Sequence, residues 1–244
     1  MTSARGRALT LAAIAAMLLA ALAFAATRRE SRVPPPRSDA QRPTLLLLTS
    51  LPLVFSDSFS LHGGSPALKT LETRYRVAPI SVTSPAELGK GRLLLMAQPF
   101  AQTAENLVAL DDWVRRGGRV LLLADPMLEW PSKRPLGDPS RPPPMFADTG
   151  LLAHWGLRLD APDERGPMLR GLAGREIQTV SPGTLFGRCT ISADRLVAHC
   201  AIGRGEAVVV ADADFLNLAG MDGPIDDNLP ALLGELERLD GPAN

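Results

Sequence analysis

The chain is poor in the side chains that carry most acid–base and metal chemistry. Its only histidines are His62, His154 and His199, and its only cysteines are Cys189 and Cys200, a set that does not resemble a zinc site. No metal and no cofactor is expected. Aromatic residues make up 5% of the chain, and lysine occurs only at Lys69, Lys90 and Lys133. Formal net charge is zero, so no global field draws nucleic acid or cations to the surface, and no nucleic-acid partner is expected. The many arginines, with abundant Ala, Pro and Gly, fit a GC-rich genome, which is the plain explanation for any arginine pair.

Signatures of covalent catalysis are missing as well. A nucleophile elbow needs Gly-x-Ser-x-Gly, or a comparable Cys turn, after a strand. After one apolar run the chain has Gln98-Pro99-Phe100-Ala101, and after another Thr49-Ser50-Leu51-Pro52. Ser50 has no histidine in a recognisable context to act as its base. Leu61-His62-Gly63-Gly64-Ser65 could turn backbone N–H groups toward an anion, yet it matches neither a P-loop nor a dinucleotide fingerprint. His62 reads as a loop residue.

What is present begins with one long hydrophobic run. Residues 1–7, with Arg5 and Arg7, read as a cytoplasmic n-region, and residues 8–26 are uncharged with Thr10 as their one polar side chain. As a helix, those 19 residues would span about 28 Å, close to the hydrocarbon thickness of a bilayer. Two readings fit: an uncleaved transmembrane signal anchor, or a signal peptide cut after Ala23-Phe24-Ala25. The length of the run favours the anchor and its alanine content favours cleavage. Either way the rest of the chain is expected outside the cytoplasm. The anchored form is a single-pass protein of a bacterial inner membrane with its domain in the periplasm. The cleaved form is secreted. Residues 27–43 read as a linker, extended and solvated because Pro34, Pro35, Pro36 and Pro43 lock φ and remove donors.

Residues 44–240 read as a single domain, since 45% hydrophobic content supports a core and the length suits one domain better than two. Apolar runs at 44–49, 92–97, 119–124 and 206–211 have the continuous character of strands buried on both faces. A second strand is expected at 77–82 and others at 157–159 and 175–180, with helices at 65–75 and 146–155. The segment 126–144 reads as a long loop. Thr103 as cap, Leu107, Leu110 and Val114 at helical spacing, then Gly117-Gly118 as exit, define a helix between two buried strands. Strand, helix and strand in succession imply a parallel sheet. Near the C-terminus, 188–192 and 196–201 form a hairpin around Ala193-Asp194-Arg195. A final helix carries Leu229, Leu232, Leu233, Leu236 and Leu239 on one stripe, capped by Asp226 or Asp227.

Two constellations stand out. Cys189 and Cys200 fall on facing strands of that hairpin. In an oxidising compartment they would form a disulfide if register brings their Cα atoms within about 7 Å; the alternative is two buried thiols in a reduced protein. Asp125 ends one parallel strand, and Asp212 and Asp214 follow another. Ligands of open α/β sheets bind beyond the carboxyl ends of strands, so these carboxylates are the candidate ligand-binding residues. Aspartate also starts turns and caps helices at such places. No catalytic residue is assigned.

The stretch Leu110-Asp111-Asp112-Trp113-Val114-Arg115-Arg116-Gly117-Gly118-Arg119-Val120-Leu121-Leu122-Leu123-Ala124-Asp125-Pro126 resembles a segment of the GldG-type auxiliary components of ABC transporters. So does Ile202-Gly203-Arg204-Gly205-Glu206-Ala207-Val208-Val209-Val210-Ala211-Asp212-Ala213-Asp214-Phe215-Leu216, followed by Asp227-Asn228. The second stretch is also similar to an uncharacterised membrane-anchored family with a glutamine-amidotransferase-like fold. The resemblance covers 44 to about 239. It implies an α/β fold: a mostly parallel sheet with helices on both faces, flavodoxin-like or class I glutamine-amidotransferase-like, without the catalytic cysteine. The expected role is a non-enzymatic extracytoplasmic accessory domain at the inner membrane, partnered with ABC-transporter or other membrane-complex subunits. The rival expectation is a periplasmic hydrolase using Asp125, Asp212 and Asp214, with or without a metal.

Overall fold

A computed structural model describes residues 34–54, 64–135 and 137–241. The hydrophobic run 8–26 and His62 lie outside them. Among the described residues no helix is long and apolar enough to cross a membrane.

The apolar runs form the centre of a seven-stranded sheet. β1 (Thr44–Thr49), β3 (Leu93–Ala97), β4 (Arg119–Leu123) and β11 (Gly205–Val210) lie where continuous apolar sequence placed them. β2 (Arg76–Pro79) and β10 (Val197–Ile202) are less apolar, and β9 (Thr190–Ile191) is short. The order is β2-β1-β3-β4-β11-β10-β9. The first five are mutually parallel, and β10 and β9 add antiparallel pairings at one side. Leu45 to Leu48, Val120 to Leu123 and Val208 to Val210 are all buried. Each such side chain contributes roughly 2 kcal/mol by leaving water.

Helices pack against the sheet. α1 (Pro66–Glu72) and α2 (Pro85–Leu88) start with Ser65 and Ser84, whose hydroxyls accept from Leu68 N and Glu87 N. α3 (Ala104–Arg115) starts at Thr103, which accepts from Asn106 N at 3.4 Å. Its exit uses Gly117 at φ 109°, and a Cβ on Gly118 would fall 2.3 Å from the Trp113 ring. The last helix, α5 (Asn228–Asp240), packs with α1, whereas α2 packs with α3.

Several local expectations change. The helix expected over 146–155 shrinks to α4 (Leu151–His154), because Gly150 takes φ 97° and Asp148 Oδ1 accepts from both Gly150 N and Leu152 N. Asp227 sits at the start of α5 but its side chain does not cap it; its carboxylate is held by Arg175 at 2.6 Å. Two small antiparallel pairs, β5 (Leu157–Asp160) with β8 (Thr184–Gly187) and β6 (Pro167–Leu172) with β7 (Arg175–Val180), stand beside the main sheet. Strands β6 and β8 carry too little apolar sequence to be read in advance.

Residues 34–43 are mostly exposed, yet they are bonded to the domain. Arg37 N donates to Thr73 O at 2.9 Å, its guanidinium meets Asp240 at 3.2 Å, and it lies 5.3 Å from the centre of the Tyr75 ring. Arg74 donates to the Pro35 carbonyl. Proline removes donors but leaves carbonyls, and arginines of the domain use them.

The expected disulfide is present. Cys189 and Cys200 are bonded with Cα atoms 4.8 Å apart, continuing the β9–β10 register in which Thr190 faces His199. The bridge spans 11 positions. Closing a loop of that size contributes about 3 kcal/mol. Reductant should therefore lower unfolding free energy by about 2–3 kcal/mol in denaturant titrations, and identical curves with and without it would contradict this.

Candidate functional site

The carboxyl ends of β1, β3, β4 and β11 share one rim, and all three candidate aspartates stand on it. Asp125 follows β4, and Asp212 and Asp214 follow β11. None is open to solvent: Asp125 and Asp212 are 0% exposed and Asp214 2%.

Each carboxylate is occupied by backbone. Asp125 Oδ2 accepts from Ala213 N at 2.9 Å and Oδ1 from Met127 N at 2.8 Å. Asp212 accepts from Phe215 N at 2.9 Å and Val180 N at 3.0 Å. Asp214 Oδ2 accepts from Glu129 N at 2.7 Å. These bonds tie the segments at the ends of β4, β7 and β11 together. The three aspartates therefore share a rim and are bonded to it through backbone amides. Among the described residues no three His, Cys, Asp or Glu side chains are grouped to hold a metal ion.

Burial raises their proton affinity, and among the described residues no cation is one of the leading influences on them. Desolvation pushes Asp125 up to about 6 against its backbone donors. Desolvation, with the charge of Asp125, pushes Asp214 up to about 7. Asp212 is raised well above the carboxylate range, first by desolvation and then by Asp125 and Asp214.

Three residues that the sequence did not mark, Gln98, Ser181 and Glu129, complete this rim. Gln98, directly after β3, is 0% exposed and has φ 44°. Positive φ at a strand-to-loop turn is the backbone of a nucleophile elbow. Here the side chain turns inward: Oε1 accepts from Asp125 N at 2.9 Å, and Nε2 donates to Asp125 O and Pro143 O, both at 3.2 Å. No sequence signal foretold this, since a residue before proline ordinarily takes extended backbone. Ser181, at φ 48°, donates to Glu129 Oε1 and accepts from Gly166 N at 2.9 Å.

Beside the carboxylates, at the ends of β1 and β2, lies a crevice of about 400 Å³. Ser50, Ser81, Phe100, Arg134 and Ser140 are among its lining residues. The sheet order reverses between β1 and β3, so this is the topological switch point where ligands of open sheets bind. Ser50 Oγ donates to Gln98 O, and among the described residues no histidine lines the crevice. His154 instead meets Asp111 at 3.2 Å, and His199 meets Glu206 at 3.5 Å and Glu235 at 3.6 Å.

Neither a protein-family model nor a curated protein matches the chain. Solved structures do. The mmIFT52 N-terminal domain aligns over 82% of this chain and 100% of its own at 14% identity, with TM-score 0.52. An exo-β-1,4-mannosidase, Op5Man5 from Opitutaceae bacterium strain TAV5, aligns over 80% of this chain at 14% identity and TM-score 0.49. The chain spans only 36% of that mannosidase. A cytoplasmic protein from Salmonella typhimurium aligns over 81% of this chain and 98% of its own, at 10% identity and TM-score 0.46. The first of these likenesses bears on the fold, and on the fold alone.

The buried rim makes stability depend on pH. Asp125 and Asp214 hold protons in the native state at pH values where the unfolded chain has lost them. Their contribution to stability is full below about pH 4 and is lost as pH rises through about 6 and 7. Asp111, Asp194 and Glu206 are lowered and act in the opposite sense, losing their contribution in acid. Urea unfolding should thus be harder at pH 5 than at pH 8, by on the order of 2–4 kcal/mol; equal stability, or more at pH 8, would refute it. Separately, Asp212→Ala strands two buried N–H groups and should cost about 2–4 kcal/mol by the same measurement.

Proposed function

We propose that this protein is a non-enzymatic accessory domain of the bacterial inner membrane, held outside the cytoplasm by residues 8–26 and serving a membrane complex of the ABC-transporter type. The observation that carries the reading is the Gln98 turn. The position where an α/β enzyme would expose a nucleophile holds a glutamine whose amide is bonded on both sides to backbone. The neighbouring carboxylates are likewise consumed by N–H groups rather than aimed at a ligand.

Further features support it. The order β2-β1-β3-β4-β11 of the parallel strands suits a flavodoxin-like or amidotransferase-like sheet. A bonded Cys189–Cys200 pair suits an oxidising compartment. The GldG-type resemblance spans both the Gly117-Gly118 exit of α3 and the Asp212 turn. The hydrolase alternative gains nothing from carboxylates that are buried and already bonded.

In this reading the switch-point crevice meets the extracytoplasmic part of the partner. Phe100, 43% exposed at its edge, is the apolar anchor of that contact. Tagged full-length protein extracted in mild detergent should bring down transporter subunits, identified by mass spectrometry. Phe100→Asp should abolish their recovery while leaving thermal unfolding unchanged. Repeated recovery of the protein without membrane partners would overturn the proposal.

A further inference from the structure

The rim opposite the crevice, where the parallel strands begin, carries a cationic groove. Its cavity of about 560 Å³ is lined by Lys90, Arg92 and Arg119, with Asp240 as the single acidic residue among the described lining residues. Asp240 is already engaged by Arg37 at 3.2 Å. Arg119 donates to the carbonyls of Leu239 and Gly241 at the end of α5, where a cation opposes the helix dipole. Lys90 makes an exposed pair with Glu87 at 2.7 Å, worth little against solvent. Arg92 is exposed and has no side-chain partner among the described residues. Arg76 is exposed in the same way and stands opposite Thr44, which also lines the groove.

The chain enters the domain on this same rim. Pro43 lines the groove, and residues 34–43 are bound beside it through Arg37 and Arg74. Only Thr27 to Val33 separate the bound segment from the hydrophobic run, and seven residues reach at most about 25 Å. A tether that short keeps the groove at high effective concentration next to whatever surface the run enters.

We propose that the groove formed by Lys90, Arg92 and Arg119, with Arg76 at its margin, docks on anionic phospholipid headgroups. The proposal rests on residues 8–26 being seated in the membrane. Guanidinium groups bind phosphate oxygens in paired hydrogen bonds, and cations near an anionic bilayer are drawn to it over a Debye length. The domain then stands on the bilayer by the amino ends of its strands. The switch-point crevice, on the opposite rim, is turned toward the partner.

The test uses the full chain in nanodiscs of phosphatidylcholine alone or with phosphatidylglycerol, read by hydrogen exchange and mass spectrometry. With the anionic lipid, exchange at 37–43 and 90–92 slows by at least about fivefold, and about 0.5 M NaCl removes the effect. The exposed charge reversals Arg76→Glu, Lys90→Glu and Arg92→Glu, combined, abolish it while unfolding temperature is unchanged. If 8–26 is protected in both discs but the rim exchanges equally in both, the docking proposal falls and anchoring stands. If 8–26 itself exchanges freely, the anchored reading falls and the docking proposal falls with it.

Discussion

Buried carboxylates bonded to backbone N–H groups hold one end of this sheet together. A parallel sheet leaves its loops hanging from the carboxyl ends of the strands, and those loops must be joined to one another by something other than the ladder. Asp125, Asp212 and Asp214 do this, each reaching from its own strand to an amide of a different segment. Burying a charge is costly unless it is paired, and among the described residues no cation is set against these side chains. They meet the cost by holding protons more tightly. The same bonds that close the rim hold the carboxyls against backbone amides.

The architecture was legible where sequence carried a continuous apolar run. Such a run needs cover on both faces, and that demand fixed β1, β3, β4 and β11 as the centre of the sheet. Thr103 and Gly117 marked the ends of α3 because caps and left-handed exits use few residue types. The cysteine pairing was open in the sequence and closed by register. What stayed hidden was short and polar. β6 and β8 bury little, and α4 depends on an Asp148 turn rather than on periodicity. The bonding of the proline-rich segment was hidden too, because a lack of donors says nothing about carbonyls.

The candidate site was legible as a place and not as a state. Rules for open sheets put Asp125, Asp212 and Asp214 on the right rim, but only the folded chain shows whether a carboxylate faces a ligand or a loop. Gln98 is the sharper case. Nothing in Gln98-Pro99 announces positive φ; in the folded chain the turn is held by bonds between its amide and the backbone of Asp125. That inward glutamine, bonded to the backbone of Asp125 and Pro143, could be seen only in the folded chain. The opposite rim differs in kind: Lys90 and Arg92 there are exposed cations, whereas the aspartates are buried carboxyls.

The claim on which the rest depends is that these aspartates are closed structural groups. Carbon-13 NMR of the aspartate side-chain carboxyls, followed against pH in the folded protein, tests it most directly. The account predicts that Asp125 and Asp214 titrate near pH 6 and 7, with Asp212 above the ordinary range. Titration of all three near pH 4, the value of a solvated carboxylate, would contradict it.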